Sequence, residues 1–432
     1  MSRYGTWLAA TTLSLLGTQA MGFAMAWTAA GHGATWAGLV LTAINLPRAL
    51  LLLFGGAVAD RVGAWRVMIS ADAAMTAVTL TLAALTWQMS DRLLLLVMVA
   101  LAIGIADAFY LPSSGSMPRL LAPSASLPRA TSARQIAGQA AAFTGPAIGG
   151  LLLATFGLAV TAVANAATFA IMAAVLIALR PKPAQLIHQP PTHAGASAVL
   201  GSSSDDLRLP TSGWGRQAFD GLRVAFTDPV LRPLLLMTAA AAGLLLPSAG
   251  LLVPVLARQL GWPPASAGAV TGTIALGSGT VAFVVLVRGA LTNPRRTASR
   301  GLLVASGGVA FLALVGIADR STSFGPGQVP LPAALTAAAL IGVGLGMFGT
   351  SVAPLVLGAT PETHLARVQA VLVFAQSVPL LITNNLLGAF ADVVPAGSVL
   401  LTCAGLLAGG VGVIRLHESR TASRATVRGA VP

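Results

Sequence analysis

The 432-residue chain is 56% hydrophobic and only 9% charged, whereas soluble globular chains carry about 25% charged residues. Such a low charged fraction excludes a water-soluble fold and indicates helices that cross a bilayer, because each crossing needs roughly 20 apolar residues. A β-barrel is excluded by unbroken apolar runs such as 93–105, where barrel strands would alternate.

Apolar runs bounded by charges or by Pro and Gly clusters predict twelve transmembrane helices. The first run, which starts near Trp7, is long enough to span and is interpreted as a helix rather than a signal peptide. We therefore expect an all-α membrane protein made of an N-terminal six-helix bundle (1–180) and a C-terminal six-helix bundle (231–416). The predicted spans are 7–29, 36–56, 67–89, 93–113, 135–156, 158–179, 233–256, 264–288, 301–318, 331–356, 367–390 and 396–415.

Two segments outside the spans carry most of the polar residues. Residues 181–230 contain a Gly/Ser stretch and are predicted to be a cytoplasmic linker. Its last part, 214–226, mixes aromatic residues with arginines and is typical of an amphipathic helix on the membrane surface. Residues 417–432 are predicted to be a cytoplasmic tail.

The distribution of basic residues predicts the orientation. With both termini in the cytoplasm, only Arg92, Arg258 and Arg320 of the 25 lysines and arginines lie outside, and Arg48 lies within a span. This is the positive-inside pattern, and it also accounts for the net charge of +13 without a nucleic-acid partner. We expect a multi-pass protein of the inner (cytoplasmic) cell membrane, and a monomer in the lipid bilayer.

The turn between spans two and three combines glycines with charges. Gly56 and Gly63 permit close backbone approach, and Asp60, Arg61 and Arg66 place charges at the cytoplasmic edge. Charges there can lock one conformation and release it in another, so we predict a conformational gate. An ordinary charged loop is the alternative.

This turn resembles the loop signature of the major facilitator superfamily, G-x-x-x-D-R-x-G followed by basic residues, although Ala64 and Trp65 replace the usual basic pair. The resemblance implies two pseudo-symmetric six-helix bundles around a central cavity, and transport by alternating access. A weaker copy of the turn, residues 289–293, is found between spans eight and nine, as expected of duplicated halves.

A second motif lies in span five, where Gly145, Pro146, Gly149 and Gly150 combine close packing with a kink. Tight packing alone would explain these residues, but they also resemble the fifth-helix motif of exporters in the superfamily. Within the superfamily the chain is similar to the branch of macrolide-efflux proteins and the enterobactin exporter. The similar stretches are 46–48, 110–112, 117–118, 145–150, 221–223 and 228–232.

Polar side chains inside the spans are the candidates for coupling and substrate contact, because a charge at the bilayer centre is costly. Asp107 is the candidate for proton coupling, with a purely structural role as the alternative. Arg48 could pair with Asp107 or Asp72, or meet an anionic substrate. The candidates for the cavity wall are Thr11, Ser14, Thr18, Gln19, Asn45, Arg48, Gln376 and Asn384, each of which could instead bond to a neighbouring helix.

The resemblance implies a proton-driven exporter of small drug-like or siderophore-like molecules. An uptake permease for a nutrient and a non-transporting scaffold or sensor are the alternatives. The only lysine, Lys182, does not belong to a P-loop, so an ATPase of that kind is excluded. No catalytic constellation or paired metal-ligand spacing occurs, and we expect no enzyme activity, no cofactor and no metal.

Overall fold

The computed structural model describes residues 2–88, 93–123, 126–180, 231–289, 293–321, 331–359 and 365–428. The predicted linker and its amphipathic helix lie outside the described residues. The described part is built of long helices joined by short turns. Before the linker these are α1 (Arg3–Ala30), α2 (Ala34–Val62), α3 (Ala64–Gln88), α4 (Leu93–Leu121) and the run Leu127–Leu179.

The run Leu127–Leu179 contains two helices. Gly157 interrupts it with a φ of 79°, a left-handed conformation that glycine adopts without strain. We call the parts before and after this residue α5 (127–156) and α6 (158–179). The break falls where the sequence predicts the boundary between spans five and six.

Six helices follow the linker. They are α7 (Leu231–Gln259), α8 (Pro264–Arg288), α9 (Pro294–Ser321), α10 (Leu331–Ala359), α11 (Leu365–Val393) and α12 (Ala396–Arg428). Eleven of the helical runs are long and apolar enough to cross a membrane, and the run broken at Gly157 is long enough to cross twice. The structure therefore confirms an all-α membrane fold.

The helices form two bundles that meet along two seams. In the first bundle α1 packs on α5 and α6, and α2 packs on α4; in the second, α9 packs on α10 and α12. Between the bundles, α5 packs against α8 and α2 packs against α11. The two seams are related by the pseudo-symmetry of the halves, since α8 and α11 follow α2 and α5 by six helices.

Most helices extend beyond the predicted spans. α2 continues to Val62 and α4 to Leu121, and α12 continues through the predicted tail to Arg428. Backbone hydrogen bonding does not stop where the side chains become polar, so hydropathy marks the apolar segment rather than the ends of the helix.

Candidate functional site

A cavity of about 250 Å³ lies between the two bundles. Helices α1, α2, α4 and α6 of the first bundle line most of it, and α7 and α8 of the second bundle complete the wall. Its polar lining consists of Thr18, Gln19, Asn45, Arg48, Asp107, Asn165 and Thr271. We call it the central pocket.

An ion pair lies in the wall of this pocket. The Arg48 guanidinium of α2 donates a hydrogen bond to the carboxylate of Asp107 on α4. The side chains are 36% and 20% exposed, so the pocket reaches both charges. Of the partners that the sequence left open for Arg48, the structure selects Asp107. Asp72 is buried on α3, where its Oδ2 has no hydrogen-bond partner among the described residues.

Two glycines that sequence reasoning missed allow this ion pair to form. A Cβ atom at Gly104 would overlap the carbonyl oxygen of Ile44, one turn before Arg48, and a Cβ at Gly55 would overlap the carbonyl oxygen of Ala108. The backbones of α2 and α4 are therefore in direct contact on both sides of the pair. The small-residue pattern typical of tight membrane packing was the available signal.

The four cavity-wall candidates on α1 divide into two groups. Thr18 and Gln19 line the central pocket. Thr11 and Ser14 do not, because α1 packs on α6 along its first turns and buries both side chains. The Thr11 hydroxyl faces the sulfur of Met172 at 3.8 Å. Their place in the cavity wall is thus corrected to helix packing.

The candidates on α2 and α11 also separate. Asn45 lines the pocket, and its Nδ2 donates to the carbonyl of Leu41 at 2.8 Å. Gln376 is exposed and Asn384 is buried, and neither lines the pocket. The neighbouring Asn385 faces α2, where its Nδ2 donates to the Thr42 hydroxyl at 2.9 Å. The contribution of α11 is therefore to the seam with α2.

The fifth-helix motif contacts both bundles. Cβ atoms at Gly145 and Gly149 would overlap Gln19 and Ala20 of α1. A Cβ at Gly150 would overlap the carbonyl of Pro264 at the start of α8. From the other side, a Cβ at Gly268 would overlap the carbonyl of Pro146. The motif thus brings α5 against α1 within its bundle and against α8 across the seam.

The end of the molecule at which α1, α7 and α11 finish and α2 and α8 begin carries polar contacts between the bundles. We call it the closed end. Asp392, near the end of α11, accepts hydrogen bonds from the backbone N–H groups of Ala34 (2.5 Å) and Thr35 (3.0 Å) at the start of α2. A carboxylate there satisfies unpaired N–H groups and interacts favourably with the helix dipole. Sequence reasoning missed Asp392.

Arg258 makes the second polar contact at the closed end. Its Nε donates to the carbonyl of Trp27 at 3.2 Å, and its guanidinium carbon lies 4.8 Å from the centre of the Trp27 ring. A cation is favourable near the C-terminal end of α1. Gly31 leaves room for it, since a Cβ there would lie 2.8 Å from the guanidinium.

The helices α5 and α8 pack less closely toward the opposite end. A Cβ at Gly272 would lie 2.5 Å from the carbonyl oxygen of Phe143, whereas a Cβ at Gly279 would lie 3.7 Å from the Cβ of Gln139. A groove of about 440 Å³ lies between the two helices on the side of Gln139 and Gly279. We call this end, which carries the first residue of α1 and the last of α12, the open end.

The predicted gate turn lies at the open end. Gly63 joins α2 to α3 with a φ of 95°, and its N–H donates to the carbonyl of Ala59 at 3.0 Å. Gly56 is in the last two turns of α2. The side chains of Asp60, Arg61 and Arg66 are exposed and form no hydrogen bond or ion pair with any residue that the structure describes.

The second half has a glycine at the equivalent helix end. Gly289 ends α8 with a φ of 89°, and its N–H donates to the carbonyl of Val285 at 2.9 Å. Gly63 and Gly289 therefore both have a positive φ at equivalent helix ends, which only glycine adopts at low cost.

α7 is irregular beside the pocket. Two π-helical segments, Ala241–Leu245 and Ser248–Leu252, flank Pro247, and Gly250 and Pro254 line the pocket. Proline lacks the N–H that a regular helix needs, and a wider turn accommodates the gap.

Within the described residues, no cluster of histidine, cysteine or acidic side chains could hold a metal ion.

Comparisons with known proteins agree with this architecture. A POT family transporter in complex with a thioalcohol-conjugated peptide is similar in fold, with a TM-score of 0.71, 11% identity and 96% of each chain covered. The nucleoside transporter NupG is similar with a TM-score of 0.68 and 12% identity, covering 96% of this chain and 99% of NupG. No curated protein matches the sequence. The family model of the Major Facilitator Superfamily matches residues 7–384, and the chain belongs to this superfamily of transporters.

Proposed function

We propose that this transporter is a proton-coupled exporter of small drug-like or siderophore-like molecules that works by alternating access. The observation that carries the proposal is the central pocket, which holds the Arg48–Asp107 pair between two bundles that polar contacts join at the closed end. A substrate site between two rocking bundles is the arrangement that alternating access requires.

The orientation follows from the basic residues. If the open end, with its exposed Arg61 and Arg66, faces the cytoplasm, the closed end faces outward. The conformation is then one that receives substrate from the cytoplasm. The resemblance to the macrolide-efflux and enterobactin-exporter branch supports export. The exporter-like motif touches the seam that must open through Gly150, which packs against Pro264 of α8.

Asp107 is the proposed proton carrier. When Asp107 takes up a proton, Arg48 loses its counter-charge in a site where an unpaired charge is costly. Protonation therefore changes the relative stability of conformations that hydrate Arg48 to different extents. This links the proton to the movement of the bundles.

The gate turn is proposed to act in the opposite conformation. The side chains of Asp60, Arg61 and Arg66 have no hydrogen-bond or ion-pair partner among the described residues, so they are available to pair when the open end closes. Gly56 and Gly63 would allow the turn to approach the other bundle. The gate turn, once paired, therefore stabilises the outward-facing state.

Vesicles containing the purified protein provide the test. A chemically diverse panel, including a macrolide and a catecholate siderophore, is loaded on the side of the open end, and transport is followed with and without a proton gradient. Export predicts movement toward the side of the closed end, accelerated by an opposing proton gradient and abolished by an uncoupler.

The controls separate the parts of this proposal. Asp107→Asn should abolish the response to the proton gradient while substrate exchange continues. Retention of the full gradient response in Asp107→Asn would show that another group carries the proton. Gradient-driven accumulation in the opposite direction would instead establish an uptake permease, and no movement of any compound would favour a scaffold or sensor.

A further inference from the structure

A second carboxylate lies inside the first bundle, on the open-end side of the central pocket. Asp72 is on α3, one turn nearer the open end than Met75, which lines the pocket. Its side chain is 1% exposed, and its Oδ2 accepts no hydrogen bond from any described residue. Asp72 thus differs from Asp107, whose charge is balanced by Arg48.

A tyrosine hydroxyl is near both carboxylates. Tyr110 is one turn nearer the open end than Asp107 on α4, and side chains three residues apart on a helix are neighbours, with Cβ atoms about 5–6 Å apart. Helices α3 and α4 pack together, and the charges of Asp72 and Asp107 both act on the Tyr110 hydroxyl. This hydroxyl is buried and forms no hydrogen bond with any residue in the described ranges. Its proton and its lone pairs are therefore available to the two carboxylates.

Few other titratable groups surround Asp72. Arg134 of α5 also acts on the Tyr110 hydroxyl, but its Nη2 donates to Ser114 of α4 at 3.0 Å, and it forms no ion pair in the described part of the chain. Helix α6 contains no titratable residue, and the other charged residues of the first bundle that the structure describes are exposed. The groups in this region from α1, α2, α4 and α5 are Tyr4, Arg48, Asp107, Tyr110 and Arg134. Because no cation is paired with it, the buried Asp72 is most stable when it holds a proton.

We propose that Asp72 is a second proton-binding residue, which receives the proton of Asp107 through the Tyr110 hydroxyl. In this step the O–H bond of Asp107 breaks and its proton bonds to the Tyr110 oxygen. The proton that the hydroxyl carried moves to Oδ2 of Asp72. One proton is transferred, the tyrosine is restored, and Asp107 is free to pair with Arg48. The observed conformation, with Asp107 paired and Asp72 unpaired, corresponds to the state after the transfer.

The relay gives the proton a path separate from that of the substrate. Asp107 lines the central pocket, where a bound substrate would cover it, whereas neither Tyr110 nor Asp72 lines the pocket. Helix α3 begins at Ala64, so about 12 Å of helix separates Asp72 from the open end. Release of the proton toward the open end would then not require an empty pocket. This inference rests on the proposed proton coupling and adds the route by which the proton leaves.

The two tyrosines of the chain provide matched variants. The Tyr4 hydroxyl donates to the carbonyl of Ala130, whereas the Tyr110 hydroxyl has no partner among the described residues. Tyr4→Phe should therefore lower the melting temperature, and Tyr110→Phe should not. In the vesicles, Tyr110→Phe should slow gradient-driven export of the macrolide erythromycin about tenfold or more, and Tyr4→Phe less than about twofold. Exchange of erythromycin without a gradient should continue in both variants, because it requires no net transfer of protons.

Asp72 is tested by two substitutions and by a spectrum. Asp72→Asn cannot release a proton and should slow gradient-driven export about tenfold or more, and Asp72→Glu should restore part of the rate. Infrared spectra of the purified protein at neutral pH should show a protonated carboxyl band that Asp72→Asn loses and Asp107→Asn keeps. The relay is overturned by a wild-type spectrum without this band, or by export at the wild-type rate in either Asp72→Asn or Tyr110→Phe.

The spectrum also separates this relay from the proposed coupling. If wild type shows no response to the proton gradient, the proposed coupling fails. The Asp72 band, together with slower exchange of its proton for deuterium in Tyr110→Phe than in wild type, would then still establish the second proton site and its connection to the hydroxyl. If the gradient response depends on Asp107 but the Asp72 band is absent, the coupling stands and the relay fails.

Discussion

The guanidinium of Arg258 lies over the indole ring of Trp27, at 4.8 Å from its centre, while its Nε bonds to the Trp27 carbonyl. This relationship joins the last turn of α7 to the last turn of α1, and so joins the two bundles at the closed end. A bundle that rocks open there must separate both groups. The conformational equilibrium should therefore respond to changes at this pair.

A disulfide across the α5–α8 seam is expected to trap the observed conformation. The distance of 3.7 Å between the Cβ of Gln139 and a Cβ at Gly279 falls within the range of disulfides, about 3.5–4.5 Å. Gln139→Cys with Gly279→Cys, in a Cys403→Ser background, should cross-link on oxidation and stop transport. Reduction should restore transport, as measured in the same vesicles.

Each single cysteine variant is the control for this experiment. Oxidation should leave its transport unchanged. Full transport by the cross-linked double variant would mean that α5 and α8 keep this distance throughout the cycle, contrary to alternating access.

Arg258→Ala should shift the equilibrium away from the observed conformation. The lost cation–π contact and hydrogen bond correspond to about 1–2 kcal/mol, or roughly a tenfold change in population. The initial rate of cross-linking between cysteines at positions 139 and 279 should fall accordingly. Arg258→Lys keeps the charge but not the planar fork and should give an intermediate rate; a rate equal to wild type in both variants would contradict the role of this contact.

Gly104→Ala should separate α2 from α4 and weaken the ion pair. The new methyl group would overlap the carbonyl oxygen of Ile44, and overpacking of this kind costs about 1–3 kcal/mol. We expect a lower melting temperature and slower gradient-driven transport. Gly115→Ala is the matched control on the same helix, since a Cβ there meets nothing within 4 Å, and it should behave like wild type.

The ion pair itself is tested by a double-mutant cycle. Arg48→Gln and Asp107→Asn each leave one charge without its partner, so each should destabilise the protein. The double variant should recover part of the loss, with a coupling of about 0.5–3 kcal/mol measured by thermal unfolding in detergent. Additive losses would show that the two charges contribute independently.

The gate turn and the fifth-helix motif differ in how much of their conformation and packing could be predicted from the sequence. The turn at Gly63 was recognisable because a positive φ favours glycine, and the equivalent Gly289 also has a positive φ. The fifth-helix motif was recognisable as a packing surface. Which helices it contacts, α1 through Gly149 and α8 through Gly150, depends on how distant segments assemble.

The polar candidates show the same division. Thr11 and Thr18 lie on one face of α1, and helical periodicity treats them alike. The structure buries Thr11 against Met172 and leaves Thr18 in the wall of the pocket, a difference that depends on which neighbouring helix each side chain meets. Asp392 is near a helix end and has no distinguishing local pattern; its position at the start of α2 follows from the meeting of the two bundles.

The sequence by itself determined the all-helical membrane fold, the division into two sets of helices and the glycine-containing turns. These follow from local physics: apolar runs must satisfy their own backbone hydrogen bonds in lipid, and positive φ requires glycine. The tertiary structure alone decided that Arg48 pairs with Asp107, that Asp392 joins the two bundles at the closed end, and that α5 and α8 pack less closely toward the other end. Those features depend on distances between segments far apart in the chain, which periodicity and composition do not encode.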